Sequence, residues 1–172
     1  GFLDPRAMDR AYEALALCAE RIMRKGVESG RLAAVATQAC RAAENGAEFV
    51  ERVRKVTGMR LRIIDPAEEA RLAVEGCLNL IDAKAEAVLI IDVGGGSTEM
   101  SWLKRDGADW TTTAWMSAPL GVVTLAERHP EPADAGEAWY EAMVADMGAA
   151  IAAGGVSDPA MLELFRQDRA HL

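Results

Sequence analysis

Residues 87–93, Ala-Val-Leu-Ile-Ile-Asp-Val, form an almost unbroken apolar run that ends in three consecutive glycines, Gly94, Gly95 and Gly96. A run of this length and composition reads as the centre of a sheet, with Asp92 near the strand's end. After the glycines, residues 98–102 alternate Glu99 and Ser101 against Met100 and Trp102, Asp106-Gly107 makes a turn, and residues 110–116 are strand-like again. The pattern predicts a β-meander.

Upstream the periodicity is mostly helical. Met8, Tyr12, Leu15 and Ile22 share one helical face, and Phe49, Val53 and Val56 mark a second helix that stops at Gly58, a natural C′ residue. Between them residues 32–40 read as a short buried strand followed by Arg41 at a turn, and a strand at 61–64 leads into Asp65-Pro66. Asp65, Pro66 and Glu68 fit the N-cap, N1 and N3 positions of a capping box, so a third helix is expected to run from here towards Leu80. On it Glu68, Arg71, Glu75 and Asn79 share a polar face, whereas Glu69 falls with Leu72, Ala73, Gly76 and Leu80 on the mostly apolar one. A carboxylate on the inward face is the anomaly. Beyond Pro130, Asp134-x-x-Glu137 reads as another capping box, with Trp139, Met143, Met147 and Ile151 as the stripe of a helix ending at Gly154-Gly155. A last short helix is expected near Ser157, using Met161, Leu162 and Phe165. The order predicts an α/β architecture with a break near residues 81–86.

Composition narrows the function classes. At 172 residues the chain is one domain or parts of two, and 51% hydrophobic with 27% charged residues is a globular balance. No apolar run approaches the roughly 18 residues needed to span a bilayer, and residues 1–5 lack the pattern of a signal peptide, so no membrane partner and a cytoplasmic location are the default expectations. Three scattered cysteines and two histidines indicate neither a disulfide framework nor a zinc site, so any metal would be hard and oxygen-ligated. Residues 1–62 hold 12 Lys+Arg against 8 Asp+Glu, and the rest 7 against 19. That acidic balance argues against nucleic-acid binding, and an anionic ligand would need local arginines, backbone amides or a divalent cation.

The segment Asp92-Val-Gly-Gly-Gly-Ser-Thr-Glu99 is the main functional signal. Glycines tolerate positive φ and let backbone amides approach a ligand closely, so Gly94, Gly95, Gly96 and Ser97 can form an anion nest for phosphate. It is neither a Walker A loop nor a dinucleotide fingerprint, because no Gly-Lys-Ser/Thr follows and a strand, not a helix, comes next. The plainer alternative is a glycine-rich hairpin. Asp92 and Glu99 flank the turn, and carboxylates beside phosphate make electrostatic sense with Mg²⁺ between them; a turn-capping aspartate and a solvated glutamate are the alternatives. Arg41 can serve as a phosphate fork or lie on the surface, and Glu69 can be a general base or a solvated carboxylate.

Ala34-Val-Ala-Thr-Gln-Ala-Cys-Arg41-Ala-Ala-Glu-Asn45, Glu68-Glu69-Ala70-Arg71-Leu72 and Ile91-Asp92-Val-Gly-Gly-Gly-Ser-Thr-Glu99 resemble, in order and spacing, the motifs of the exopolyphosphatase / guanosine-pentaphosphate phosphohydrolase (Ppx/GppA) family. Ser117-Ala-Pro-Leu-Gly121 is similar to its following segment. The resemblance implies the actin-like ATPase (ribonuclease H-like) superfamily fold and removal of a terminal phosphate from inorganic polyphosphate, or of the 5′ γ-phosphate from guanosine pentaphosphate, with Mg²⁺, in the bacterial stringent response. By resemblance Arg41 contacts phosphate, Glu69 activates water, Asp92 is the metal-associated aspartate, Gly94 to Ser97 are the phosphate loop and Glu99 is a further acidic catalytic residue. It also implies a homodimer. The family's opening Asp-x-Gly-Ser-Asn-Ser hairpin would precede Phe2 and a later Gly-Thr loop would follow Leu172. Residues 1–84 are therefore expected to be the latter part of one actin-like domain and 85–172 the first part of a second, incomplete at both ends and inactive alone. Two rival readings are a non-catalytic module that binds nucleotide or polyphosphate for regulation, and a sugar- or acetate-kinase-like phosphotransferase.

Overall fold

A computed structural model describes residues 1–154 together with Ala170–His171. By contact the chain divides into two compact units, Gly1–Asp65 and Pro66–Leu172.

In the first unit, helix α1 spans Pro5–Arg24. Asp4 caps it by accepting a hydrogen bond from the Ala7 amide at 3.0 Å, Pro5 supplies the preset first turn, and Arg21 and Arg24 sit at the negative end of the helix dipole. Strand β1 covers Ala34–Ala36, helix α2 Gln38–Ala42, helix α3 Gly46–Thr57 and strand β2 Leu61–Ile63; the two strands pair in parallel, Ala34 against Leu61 and Ala36 against Ile63. The strand expected over 32–40 is thus cut to three residues. The Arg41 amide donates to Thr37 O at 3.0 Å, a helical bond, so Arg41 stands on a helix rather than at a turn. Helix α3 ends as expected, with Gly58 at φ 74°. Met8 and Tyr12 from α1 pack with Phe49 and Val53 from α3, the two rings stacking at 5.1 Å. Val53 is wholly buried, a transfer that stabilises by about 1.5–3 kcal/mol for a side chain of this kind.

In the second unit, helix α4 (Pro66–Cys77) passes through a 3₁₀ turn at Leu78–Leu80 to strands β3 (Ala87–Val93), β4 (Thr98–Asp106) and β5 (Asp109–Ala118). The expected meander is present. β3 pairs antiparallel with β4, β4 with β5, and the two-residue strand β6 (Ala170–His171) lies parallel to β3 beside Ala87 and Val88, giving the order β5-β4-β3-β6. Gly107, at φ 62°, makes the β4–β5 turn. One sheet face packs Trp102, Met116 and Ala118 with Ala150 and Ile151 of helix α6 (Glu137–Ala153); the other packs Val88 and Leu103 with Val74 of α4 and Ala85. Between the sheet and α6 comes helix α5 (Val122–Arg128).

Several expectations shift. On α4 the buried positions are Ala70 and Val74, and Gly76 is exposed; Leu80 is 77% exposed, because the α-helix ends at Cys77 and the helical spacing no longer applies beyond it. Glu68 and Glu75 both pair with Arg71 on the polar face, as the spacing predicts. Asp134 does not cap α6: Gly136 is the N-cap, and the Ala135 amide turns back to Pro132 O at 3.1 Å. The short α5 is not anticipated by the periodicity. The helix expected near Ser157 lies outside the described residues. The contact division falls after Asp65, ahead of the 84/85 junction expected from the sequence, since α4 packs on β3, β4 and β5.

Candidate active site

The β3–β4 hairpin places Asp92 directly across from Glu99 as register partners. Like charges facing one another across a ladder repel, so one of them must be screened or neutralised. Asp92 lies at the exposed end of β3, whereas Glu99 is only 2% exposed. Alternation along β4 turns Glu99 inward with Ser101, and the Ser117 hydroxyl, its cross-strand partner on β5, donates to Glu99 Oε1 at 2.6 Å. Burial pushes the Glu99 carboxyl above its ordinary value; hydrogen bonds from Ser117 and Ser97 oppose that, and the charges of Glu69 and Asp92 add to it. The structure therefore brings both Glu69 and Asp92 within electrostatic reach of Glu99. It also rules out the reading of Glu99 as a solvated hairpin residue. Glu69 is half-buried in the first turn of α4.

The glycine loop is built differently from expectation. None of Gly94, Gly95 and Gly96 has positive φ; among the described residues that conformation belongs to Gly26, Gly58 and Gly107. What the loop exploits is close approach. The Gly94 amide donates to Ser97 O at 2.9 Å, closing the turn, and the start of α5 docks on the loop's carbonyls. Val122 donates to Gly94 O at 2.9 Å, and Val123 and Thr124 donate to Gly95 O at 2.9 and 3.1 Å. Those helix amides are thereby satisfied by protein rather than kept for an anion. Among the described residues the Gly95 and Gly96 amides have no backbone acceptor. Gly121 makes the docking possible: a Cβ there would overlap Gly94 O and stand 2.7 Å from the Gly95 carbonyl carbon. Thr98 Oγ1 donates to Leu120 O at 2.8 Å and ties the same segment to β4. Gly121 and the α5 amides are the site-building residues that sequence reasoning missed; a glycine just ahead of the Val122/Leu125 spacing was the available signal.

Arg41 belongs to the first unit. Its guanidinium donates to Ile64 O at 2.6 Å and to Gln38 Oε1 at 3.3 Å, so it braces the end of β2 against α2. Among the described residues no group of three or more His, Cys, Asp or Glu side chains is arranged to hold a metal ion. A phosphate-bridging Mg²⁺ needs only one or two carboxylates, the remaining ligands being water and phosphate oxygens, and the exposed Asp92 suits that mode better than a protein cage. Among the described residues no helix is long and apolar enough to cross a membrane.

The sequence model of the Ppx/GppA phosphatase family matches residues 1–143. Among similar solved structures, an exopolyphosphatase-like protein is 29% identical with a TM-score of 0.78, over 89% of this chain and 47% of its own. The PPX-GPPA enzyme of Aquifex aeolicus is 30% identical with a TM-score of 0.60, over 88% and 48%. An exopolyphosphatase of Cytophaga hutchinsonii, 23% identical with a TM-score of 0.71 over 89% and 49%, shares the fold. The chain spans about half the length of these structures. Their fold is the actin-like ATPase fold, and the mixed α/β arrangement described above is part of it.

Proposed function

Because the chain belongs to the Ppx/GppA phosphatase family, we propose that the protein of which it is part hydrolyses a phosphoanhydride, releasing the terminal phosphate of inorganic polyphosphate or the 5′ γ-phosphate of guanosine pentaphosphate. The observation that carries this reading is that Glu69 and Asp92 both lie within electrostatic reach of the buried Glu99, next to a loop whose Gly95 and Gly96 amides have no backbone acceptor among the described residues.

Glu69 orients a water and takes its proton as the water attacks the terminal phosphorus in line. The Gly95 and Gly96 amides receive charge that develops on the phosphoryl oxygens, a preorganised form of stabilisation that requires no movement during the reaction. Ser97 and Ser117 hold Glu99 in place, and its raised proton affinity limits the negative charge packed beside the phosphates. Arg41 is assigned a phosphate contact on the resemblance alone. Asp92 is the residue that would hold Mg²⁺, which when bound supplies Lewis-acid polarisation of phosphate oxygens.

The test is Glu69→Gln in the intact protein. It should lower kcat for phosphate release by about two to four orders of magnitude, the range for loss of a general base, with little change in KM. Turnover within a few-fold of wild type would remove Glu69 from this role.

A further inference from the structure

Helix α5 has only seven residues, too few to hold a helix on propensity alone, so its first turn needs a lock. The usual lock is a Ser, Thr, Asp or Asn side chain at the N-cap. Here the N-cap is Gly121, and no side chain fits there because a Cβ would overlap Gly94 O. The task passes to Thr124. Its hydroxyl accepts from the Gly121 amide at 2.8 Å and donates to Gly121 O at 3.1 Å, so one group makes the return half of a capping box and closes the turn as well. Thr124 also donates through its own amide to Gly95 O at 3.1 Å. The lock and the loop contact therefore belong to the same residue.

That contact fixes more than two carbonyls. In a trans peptide the C=O and the N–H lie in one plane and point in opposite directions, and among the described residues no peptide bond is cis. Gly94 O shares its peptide plane with the Gly95 N–H, and Gly95 O shares the next plane with the Gly96 N–H. Val122 holds the first carbonyl, while Val123 and Thr124 hold the second, all from the α5 side. The Gly95 and Gly96 N–H groups are thereby turned away from α5, in succession, with no backbone acceptor among the described residues. A glycine offers no side chain to oppose rotation of either plane, so α5 supplies the restraint.

We propose that Thr124 is a positioning residue for phosphate: by locking the first turn of α5 it holds two peptide planes of the glycine loop so that the Gly95 and Gly96 amides are presented together to one anion. Thr124 acts only through the loop. The proposal rests on the hydrolase reading for what the anion belongs to, whereas the orientation of the two amides does not depend on turnover.

The experiment uses the intact protein, labelled with ¹⁵N-glycine, in three forms. Besides the wild type these are Thr124→Val, which keeps volume and branching but loses the hydroxyl, and Thr124→Ser, which keeps the hydroxyl. The order parameters of the Gly95 and Gly96 amides should be about 0.85 in the wild type and in Thr124→Ser, and should fall below about 0.6 in Thr124→Val. Inorganic phosphate, titrated calorimetrically, should bind Thr124→Val at least about tenfold more weakly, since a hydrogen bond to a charged group carries about that much, and Thr124→Ser within about threefold of wild type. The stoichiometry should stay unchanged. Misfolding would instead lower the fraction of competent sites and leave the dissociation constant of the remainder alone. Amides that stay ordered in Thr124→Val or are already disordered in the wild type, a wild type that binds no phosphate, or an affinity indifferent to the hydroxyl each overturn the proposal. If the wild type binds phosphate yet releases none from polyphosphate or guanosine pentaphosphate, the hydrolase reading fails, and the order and binding measurements still decide the role of Thr124.

Discussion

Gly121 offers the sharpest test of how the glycine loop is held. An alanine Cβ at this position would overlap Gly94 O and lie 2.7 and 2.8 Å from the Gly95 carbonyl carbon and oxygen, all of them backbone atoms that cannot swing aside. Either the loop moves or α5 lifts away, and both outcomes cost the three bonds from Val122, Val123 and Thr124 to the loop carbonyls. At about 0.5–1.5 kcal/mol each, Gly121→Ala should destabilise by about 1.5–4.5 kcal/mol. The control is the same substitution at Gly76, which is exposed on α4 with nothing within 4 Å of its would-be Cβ. There alanine should stabilise by about 0.8–1 kcal/mol through helix propensity. Urea unfolding of the intact protein, followed by far-UV circular dichroism, measures both. A Gly121→Ala loss below about 0.5 kcal/mol, less than one net hydrogen bond, would refute the close-approach account of the loop.

Other outcomes follow from the carboxylates. Burial raises the Glu99 pKa above its ordinary 4.5, so the folded state prefers the neutral acid; that contribution is complete below 4.5 and is lost as pH rises through the folded value. Glu99→Gln should therefore gain stability relative to wild type between pH 4 and pH 8, and a gain that shrinks over that range in pH-dependent unfolding would contradict the burial argument. Asp146 behaves in the opposite sense: His129, at 3.1 Å, and Arg128 hold its carboxyl below the ordinary 3.8. Its contribution is present above 3.8 and lost as pH falls through the folded value, so Asp146→Asn should lower the melting temperature at pH 6, by a deficit that shrinks as the pH is taken below 3.8. A deficit that stays constant as the pH falls would show that the effect is steric.

How much of this was legible in the chain depends on the range over which each feature is decided. The apolar run at 87–93, the alternation across Glu99–Trp102 and the Gly58 stop are local patterns, and they describe β3, β4 and the end of α3 correctly. The sites where local reading failed are those settled by neighbours. Residues 38–40 close the run at 32–40 that reads as a buried strand yet belong to α2, and Asp134 has the right spacing for a cap while Gly136 takes the position. Glu99 shows the same limit: sequence could nominate it, but only its burial beside Ser117 makes it a carboxylate with raised proton affinity.

By itself the sequence determined the meander, the pair of carboxylates around a triglycine turn and the inward tendency of Glu69, because a period of two or of 3.6 assigns each side chain a face without reference to anything distant. Tertiary structure alone decided that the glycines serve close approach rather than positive φ and that α5 closes the loop through Gly121. Each of these depends on backbone and side chains that meet across many residues of chain, where packing and desolvation, not periodicity, set the outcome.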